Sequence, residues 1–371
     1  MGLFLNQFSK RLEMTDKGQY YRAQFQTFMT GPEWRNVEMA EEYAAFLQEN
    51  RSLFQFPYFR QISGLWKIIF KSWRAASHYD SQKDILPTDY TAMDLFVGVF
   101  TTLELLPKAF LSLILSPFFS ATNPTDYQKA MANYYQRYSN DLQTMPFYDH
   151  DYKGYYQQLK EAYHNSSNRT WGDWFSSSIV SLELIARRLI STPLHYWFHQ
   201  EANLVPASTD ILVKVRLEGS MENGKAKNQF RSLLQQTSRN DIQCSEEDIF
   251  VKEGTKHKDG QSYTSVYARL HAPRYKDFIP TVETLSVQNI AVKKIAGQDQ
   301  VQVKCVVNNS TDSPPSPPHA TNSSRRLYSY GDDIHPEKRF YMFDIPVCDL
   351  QENVARLNSQ EGVDVAFIHN F

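Results

Sequence analysis

Over roughly the first two hundred positions, apolar residues recur at three- and four-residue spacing and strand-like alternation is scarce, which predicts a series of amphipathic helices. Turn signals divide this run at Gly31-Pro32, Phe56-Pro57, Leu86-Pro87, Ser116-Pro117, Asn123-Pro124, Met145-Pro146 and Thr192-Pro193. After about Leu204 the period changes. Residues 210–219 alternate like a strand and 227–236 read as a helix. Residues 247–254, 262–272, 283–295 and 299–308 are strand-like runs separated by turn residues. Residues 309–325 are Pro/Ser-rich and have no packing potential, and the tail reads strand–helix–strand. The pattern predicts a multidomain α and α+β fold. Its N-terminal half is mainly helical with an internal duplication, and its C-terminal half is mostly antiparallel α+β.

The duplication is read from residues 94–119 and 173–198, which align without gaps. They share Asp94/Asp173, Phe96/Phe175, Leu103/Leu182, Glu104/Glu183, Leu105/Leu184, Ser112/Ser191 and Phe119/Phe198, and Lys108 falls opposite Arg187. Upstream, Phe56-Pro57-Tyr58-Phe59 is set against Met145-Pro146-Phe147-Tyr148, which places Phe46 and Leu53 opposite Tyr135 and Leu142. The expected organisation is an N-terminal amphipathic segment (1–34), helical repeat units at 35–122 and 123–204, and an α+β domain at 205–308. The linker at 309–325 and a strand–helix–strand tail of the α+β domain (326–371) complete it. Each helical unit has one apolar face, and two related units can bury those faces against each other.

Residues 95–119 are long enough to cross a bilayer and contain fifteen Leu, Ile, Val and Phe residues. Each apolar residue contributes about −0.3 to −0.6 kcal/mol on an insertion scale, whereas Glu104 and Lys108 cost about +3 kcal/mol each near the centre. Hydropathy alone leaves the balance near zero. The second copy carries Glu183, Arg187, Arg188 and His195, which favours a buried core helix for both. Glu104/Lys108 and Glu183/Arg187 stand in the favourable i,i+4 order and are expected to form structural ion pairs. A separate stripe is the candidate membrane contact: Ile62, Leu65, Trp66, Ile69, Phe70 and Trp73 share one helical face, with Lys67, Lys71 and Arg74 away from it. An apolar face with Trp beside basic residues suits an anionic membrane surface. Leu3, Phe4, Leu5, Phe8 and Leu12, beside Lys10 and Arg11, offer a weaker contact of the same kind.

Composition narrows the function classes. Lys plus Arg number 39 against 41 Asp plus Glu, so no global charge argument supports nucleic acid, and none is expected as a partner. Lys293-Lys294 and Arg325-Arg326 are isolated pairs. Three scattered cysteines, Cys244, Cys305 and Cys348, offer neither zinc spacing nor a disulfide framework and suit a reducing compartment. The start of the chain lacks signal-peptide features, so a cytoplasmic location, or translocation without a cleavable signal, is expected alongside membrane association. P-loop, GxGxxG, GxSxG, HExxH, EF-hand and kinase signatures are absent. His195 and His199, the Asp149-His150-Asp151 run and Asp332-Asp333 with His335 lack the further ligands a metal needs. No catalytic, cofactor-binding or metal-binding residue is therefore assigned, and no cofactor is expected. The expectation is a non-enzymatic interaction or scaffold protein with a protein partner, peripheral to a membrane, of the bacterial secreted-effector type. The alternatives are an enzyme whose site assembles only in three dimensions and a protein anchored through residues 95–119.

Overall fold

The computed structural model of the chain describes residues 30–49, 52–76, 87–119, 124–200, 208–237, 239–255, 262–297, 299–308 and 324–369. Most of the expected N-terminal amphipathic segment and nearly all of the Pro/Ser-rich linker lie outside the described residues. The chain forms two compact units: Met29–Leu204 with Gly331–Pro336, and Met1–Phe28 with Val205–Tyr330 and Glu337–Phe371. The first is helical and the second is α+β with antiparallel sheets, the multidomain class that the periodicity predicts.

The helical unit runs α1 (Gly31–Gln48), α2 (Tyr58–Ala76), α3 (Pro87–Leu115), α4 (Asp126–Leu142), α5 (Tyr152–Asn165) and α6 (Trp171–Gln200). Short 3-10 turns at Leu53–Gln55 and Phe147–Asp149 follow α1 and α4, so the order of elements is the same in both halves. Thr30 and Thr125 each start a helix with a reciprocal capping box, completed by Glu33 and Gln128, which satisfies the otherwise orphaned first-turn amides. α1 packs on α4 at the centre, while α2 packs on α3 and α5 on α6. The 3-10 turns are locked alike. Tyr58 Oη donates to the Leu53 carbonyl at 3.0 Å, and Tyr152 Oη donates to the Phe147 carbonyl at 2.8 Å. Tyr43 packs on Phe56 and Tyr58, as Tyr138 packs on His150 and Tyr152.

In these contacts Tyr58 and Phe56 play the parts of Tyr152 and His150, whereas the sequence alignment sets Phe56-Pro57 against Met145-Pro146. The shared landmark is the 3-10 turn, which Pro57 follows and Pro146 precedes. Helices α3 and α6 continue through Pro107 and Pro193. A proline costs an interior helix one hydrogen bond. Packing along the flanking turns of both helices outweighs that loss.

In the α+β unit the order is β1 (Ser208–Glu218), α7 (Asn223–Gln236), β2 (Ile249–Thr255), β3 (Ser262–Pro273), α8 (Phe278–Val287) and β4 (Ala291–Ile295). It continues with β5 (Gln300–Asn308), β6 (Arg325–Gly331), β7 (Lys338–Pro346), α9 (Leu350–Asn358) and β8 (Val363–His369). Two four-stranded sheets form, ordered β2-β3-β1-β4 and β6-β7-β5-β8. In the first sheet β3 and β4 pair antiparallel with β1, and β2 pairs antiparallel with β3, the split β-α-β plan. In the second, β7 and β8 flank β5 in the same way. Even the irregularities match: the β1–β4 register shifts between Leu212 and Val213, and the β5–β8 register between Lys304 and Cys305. Helices α8 and α9 bury Phe278, Thr281, Val282 and Leu285, and Leu350, Asn353, Val354 and Leu357, at identical spacing.

The strand expected over 283–295 is shorter than predicted. Glu283–Val287 completes α8, whose buried residues follow the three-to-four helical period, and only Ala291–Ile295 is strand. Between them Asn289 turns the chain with φ of 56°, a conformation Asn tolerates better than most residues.

Gly362, entering β8, has φ of +73°, and a Cβ there would lie 2.6 Å from the Asn308 carbonyl oxygen. Gly362→Ala is therefore expected to destabilise the chain by about 1–2 kcal/mol from the left-handed backbone alone, and further from the clash. Thermal unfolding followed by circular dichroism reads this as a lowered Tm, and an unchanged Tm would contradict the assigned backbone.

Candidate functional site

Helices α3 and α6 present different chemistry on their two sides. Inward positions of α3, at three- and four-residue steps, are Val97, Thr101, Leu105, Lys108, Ala109 and Ser112, all buried. On α6 they are Asp173, Ser176, Val180, Glu183, Leu184, Arg187 and Ser191. The polar members meet in one network. Arg187 forks onto Glu104 through Nε at 3.0 Å and Nη2 at 2.7 Å, and Nη2 also lies 2.8 Å from Glu183 Oε1. Lys108 Nζ bridges Glu183 Oε2 at 2.5 Å and Glu104 Oε1 at 3.4 Å. Each base therefore touches both acids. Tyr135 Oη donates to Glu183 at 2.7 Å, and Tyr134 Oη accepts from Arg187 at 3.1 Å. Lys108 lies over the Tyr43 ring and Arg187 over the Tyr138 ring, which are corresponding positions of α1 and α4. Burial by itself would raise the pKa of Glu104, but Arg187 and Lys108 outweigh it and hold the carboxyl below its usual range.

A second buried cluster centres on Arg35. Its guanidinium donates to Glu38 at 3.2 Å, to both oxygens of Glu42, and to Gln61 at 2.7 Å, with Asp333 of the Gly331–Pro336 segment at 3.4 Å. Burial pushes Glu42 up to about 7 against the opposing pull of Arg35.

The corresponding acids Asp94 and Asp173 differ. Asp173 accepts from Thr125 Oγ1 at 2.9 Å and from the Thr170 amide and hydroxyl at 2.8 and 3.0 Å. Asp94 is equally buried, yet neither oxygen makes a full hydrogen bond. Burial pushes it up to about 8 and Glu33 adds to the rise, while nearby Thr30 eases it only in part.

The outward sides of α3 and α6 are apolar and exposed. Leu103 and its counterpart Leu182 are 66% and 67% exposed, and Phe110 and its counterpart Leu189 are 55% and 70% exposed. Phe96, Val99, Leu113, Ile114 and Phe118 extend the surface on α3 and beyond its end. Trp171, Trp174, Ile185 and Tyr196 do so on α6. Asp94–Leu115 is long and apolar enough to cross a membrane by length and composition, and its most apolar window is 39% buried. The expectation of a core helix over 95–119 therefore holds for its inward side alone, since Glu104 and Lys108 turn away from the apolar surface.

The structure divides the stripe on α2. Leu65 and Ile69 are core, and Ile62 and Trp66 are half-buried, with Trp66 Nε1 donating to Thr102 Oγ1 at 3.0 Å. Close approach of Ile69 and Trp66 to Gly98 makes that side a helix–helix contact with α3. Phe70 and Trp73 are exposed together with Phe59, as are Lys67, Lys71 and Arg74. Contact with a surface thus falls to the outer members of the predicted set, because the inner ones are occupied by α3. The missed residues, Leu103, Phe110, Leu182 and Leu189 foremost, carried a signal: the aligned segments 94–119 and 173–198 both hold an apolar residue at each of these positions, away from the charged side.

The remaining candidates are used internally. His195 Nδ1 pairs with Asp149 at 2.7 Å, and the side chain of His199 lies outside the described residues. His150 packs among Tyr138, Tyr152 and Tyr155, where burial lowers its pKa to about 4. Asp151 caps α5 by accepting from the Gly154 amide, and Asp332 accepts from the amides of Ile334 and His335. Among the described residues, no group of three or more His, Cys, Asp or Glu side chains is placed to hold a metal ion. Cys244, Cys305 and Cys348 are free thiols. Compared with protein-family models, with curated proteins and with solved structures, the chain matches none.

Two predictions follow from the buried charges. Lys108→Met leaves two carboxylates facing a single base and is expected to cost about 3–5 kcal/mol in denaturant unfolding. Adding Glu183→Gln should recover part of that loss, and strictly additive effects would mean that the pair does not interact. The second concerns pH. In the fold Asp94 stays protonated up to about 8, whereas an ordinary carboxyl ionises near 3.8, so between these values the folded chain binds the extra proton. Stability from this group is full at low pH and falls as pH rises through 8, by about 1–3 kcal/mol between pH 6 and 8.5. His150 acts in the opposite sense, but only below about 6.5. Asp94→Asn should flatten the decline in Tm over pH 6–8.5, and a variant with the wild-type slope would contradict this.

Proposed function

We propose that the helical unit is a membrane-docking module, and that this protein is a non-enzymatic interaction or scaffold protein working at an anionic lipid surface. The observation that carries the reading is the exposed apolar outward side that α3 and α6 each present, where Leu103 and Leu182 are both about two-thirds exposed. Soluble monomers seldom expose large contiguous apolar patches without an interaction to cover them. Lipid is favoured as the occupant by the chemistry beside the patch: Lys67, Lys71 and Arg74 stand on α2 next to exposed Phe70 and Trp73, and Trp171 and Trp174 head α6. The inward pairing of Glu104 and Lys108 removes the main energetic objection to lipid contact, because neither charge faces the apolar surface. Convergent polar groups, which an enzyme would turn toward a substrate, here pair with one another inside the unit, and this supports the non-enzymatic reading.

The same reading takes α1–α3 and α4–α6 as two copies of one three-helix unit. Matching capping threonines, 3-10 turns, tyrosine locks and acid–base pairs support it. A second reading, anchorage by a span through Asp94–Leu115, draws on the apolar length of that segment.

Flotation of the full chain with vesicles separates the outcomes. Phosphatidylserine-containing vesicles should bind the protein, and pure phosphatidylcholine vesicles should bind it more weakly. Leu103→Ser with Leu189→Ser should weaken binding at least about tenfold, since each buried leucine contributes roughly 1.5–3 kcal/mol. Reversing Lys67, Lys71 and Arg74 to Glu should remove the preference for anionic lipid and the salt dependence. Release by alkaline carbonate fits docking, whereas resistance would establish the span. A protein that stays with the soluble fraction in every case would refute both.

A further inference from the structure

The two sheets of the α+β unit share a topology but differ on the faces away from their helices. In the first sheet, α7 and α8 cover the side that carries Val213, Val215, Val266 and Leu270. The opposite side is set by register: Lys214 stands across from Tyr267, Arg216 from Ser265, and Phe250 and Lys252 from Tyr267 and Ser265. Lys214 Nζ lies 5.0 Å from the centre of the Tyr267 ring, and the Arg216 guanidinium lies 4.8 Å from that of Tyr263. Phe250 and Lys252 are exposed next to them. Other charges on this side are engaged: Arg269 with Asp248, His271 with Asp210, and Lys294 with Asp299. Glu218, opposite Tyr263, is the acid at the far end. Among the described residues, Lys214, Arg216 and Lys252 make no ion pair with a carboxylate.

The second sheet shows the same surface built to be covered. Counting from the shared register shift and from Pro273 and Pro346, the positions of Lys214, Tyr267 and Arg269 are taken by Val306, Phe340 and Met342. Phe340 and Met342 are buried. The second sheet thus buries this side, with Lys304 held over the Tyr330 and Phe340 rings, while on the first sheet Arg216, Phe250 and Lys252 are exposed and Lys214, Tyr263 and Tyr267 half-exposed.

We propose that the open face of the first sheet binds single-stranded nucleic acid. Cations without carboxylate partners match a phosphate backbone, and aromatic rings on a flat antiparallel sheet offer stacking surfaces for unpaired bases. Tyr263 and Tyr267, four residues apart on β3, lie about 13 Å from each other along the strand, which leaves room for a base at each. Lys214 and Arg216 would shift from the tyrosine rings to phosphates as bases stack. The overall charge of −2 does not oppose this, because a local face can be basic on a neutral chain: Lys214 and Arg216 alternate onto one side of β1, and Lys252 joins them from β2 through the pairing with β3.

The test is fluorescence anisotropy of a labelled oligo-uridine 12-mer with the full chain at about 50 mM salt. The expected result is saturable binding that weakens with salt. Lys214→Ala and Arg216→Ala should each weaken it about tenfold and lower the slope of log affinity against log salt by about 0.7. Tyr267→Ala should weaken it about 5- to 100-fold and leave that slope unchanged. Each variant is checked for wild-type unfolding and vesicle binding, so loss of the fold cannot imitate the result. Absence of binding by the wild-type chain, variants that bind as tightly as wild type, or equal displacement by polyglutamate would overturn the proposal, the last by assigning the face to an acidic protein partner.

Discussion

Two carboxylates and two bases from α3 and α6 are taken out of water together, and none of them could stay buried alone. An unpaired buried charge costs several kcal/mol, whereas here Arg187 and Lys108 each touch both Glu104 and Glu183, and tyrosines of α4 take up remaining hydrogen bonds. This constraint fixes the rotation of both long helices about their axes. With Glu104 and Lys108 held inward, Leu103 and Phe110 must face outward on α3. With Glu183 and Arg187 inward, Leu182 and Leu189 must face outward on α6. The exposed apolar surface is thus a consequence of the buried charges, and both follow from a single three-to-four-residue pattern.

Each half of the chain repeats an order of elements, and the proposed functions lie where the similar parts differ. Asp173 is fully bonded at the start of α6, while its counterpart Asp94 is buried without full hydrogen bonds and holds its proton. Helix α2 carries exposed Phe70 and Trp73 with Lys67, Lys71 and Arg74, but on α5 the exposed positions are polar ones such as Lys153, Gln157 and Lys160. Of the two sheets, one buries Lys304, Phe340 and Met342 on its second face and the other leaves Arg216, Phe250 and Lys252 exposed.

Helical periodicity, the change to strands after Leu204 and the i,i+4 spacing of Glu104 with Lys108 and of Glu183 with Arg187 were legible in the sequence, because each depends on local spacing; the pairing of Lys108 with Glu183 and of Arg187 with Glu104 across the helices was not. The likeness of the two sheets was not legible either. Its evidence is strand order, register shifts and the spacing of buried residues on α8 and α9, and few identical residues accompany them. The outward surface was misjudged for a different reason. Hydropathy adds the charges of Glu104 and Lys108 to the apolar residues around them, although the helix separates the two onto opposite sides. On α2 the opposite error arose: the stripe reads as one face, but Leu65 and Ile69 are taken up by α3, and only Phe70 and Trp73 remain outside. The basic aromatic face of the first sheet was invisible because Lys214 and Arg216 of β1 meet Tyr263 and Tyr267 of β3 and Lys252 of β2 only through strand pairing.

The central claim is that the outward side of α3 and α6 meets lipid while the charged side stays within the protein. Trp174, half exposed among the apolar residues of α6, reports on it directly. In a chain retaining Trp174 as its single tryptophan, with the other five replaced by Phe, emission is recorded on adding anionic vesicles that contain brominated acyl chains. The account predicts a blue shift and strong quenching by bromine, with Glu104 and Lys108 intact. Emission that keeps its aqueous wavelength and escapes quenching, while the protein is vesicle-bound, would contradict it.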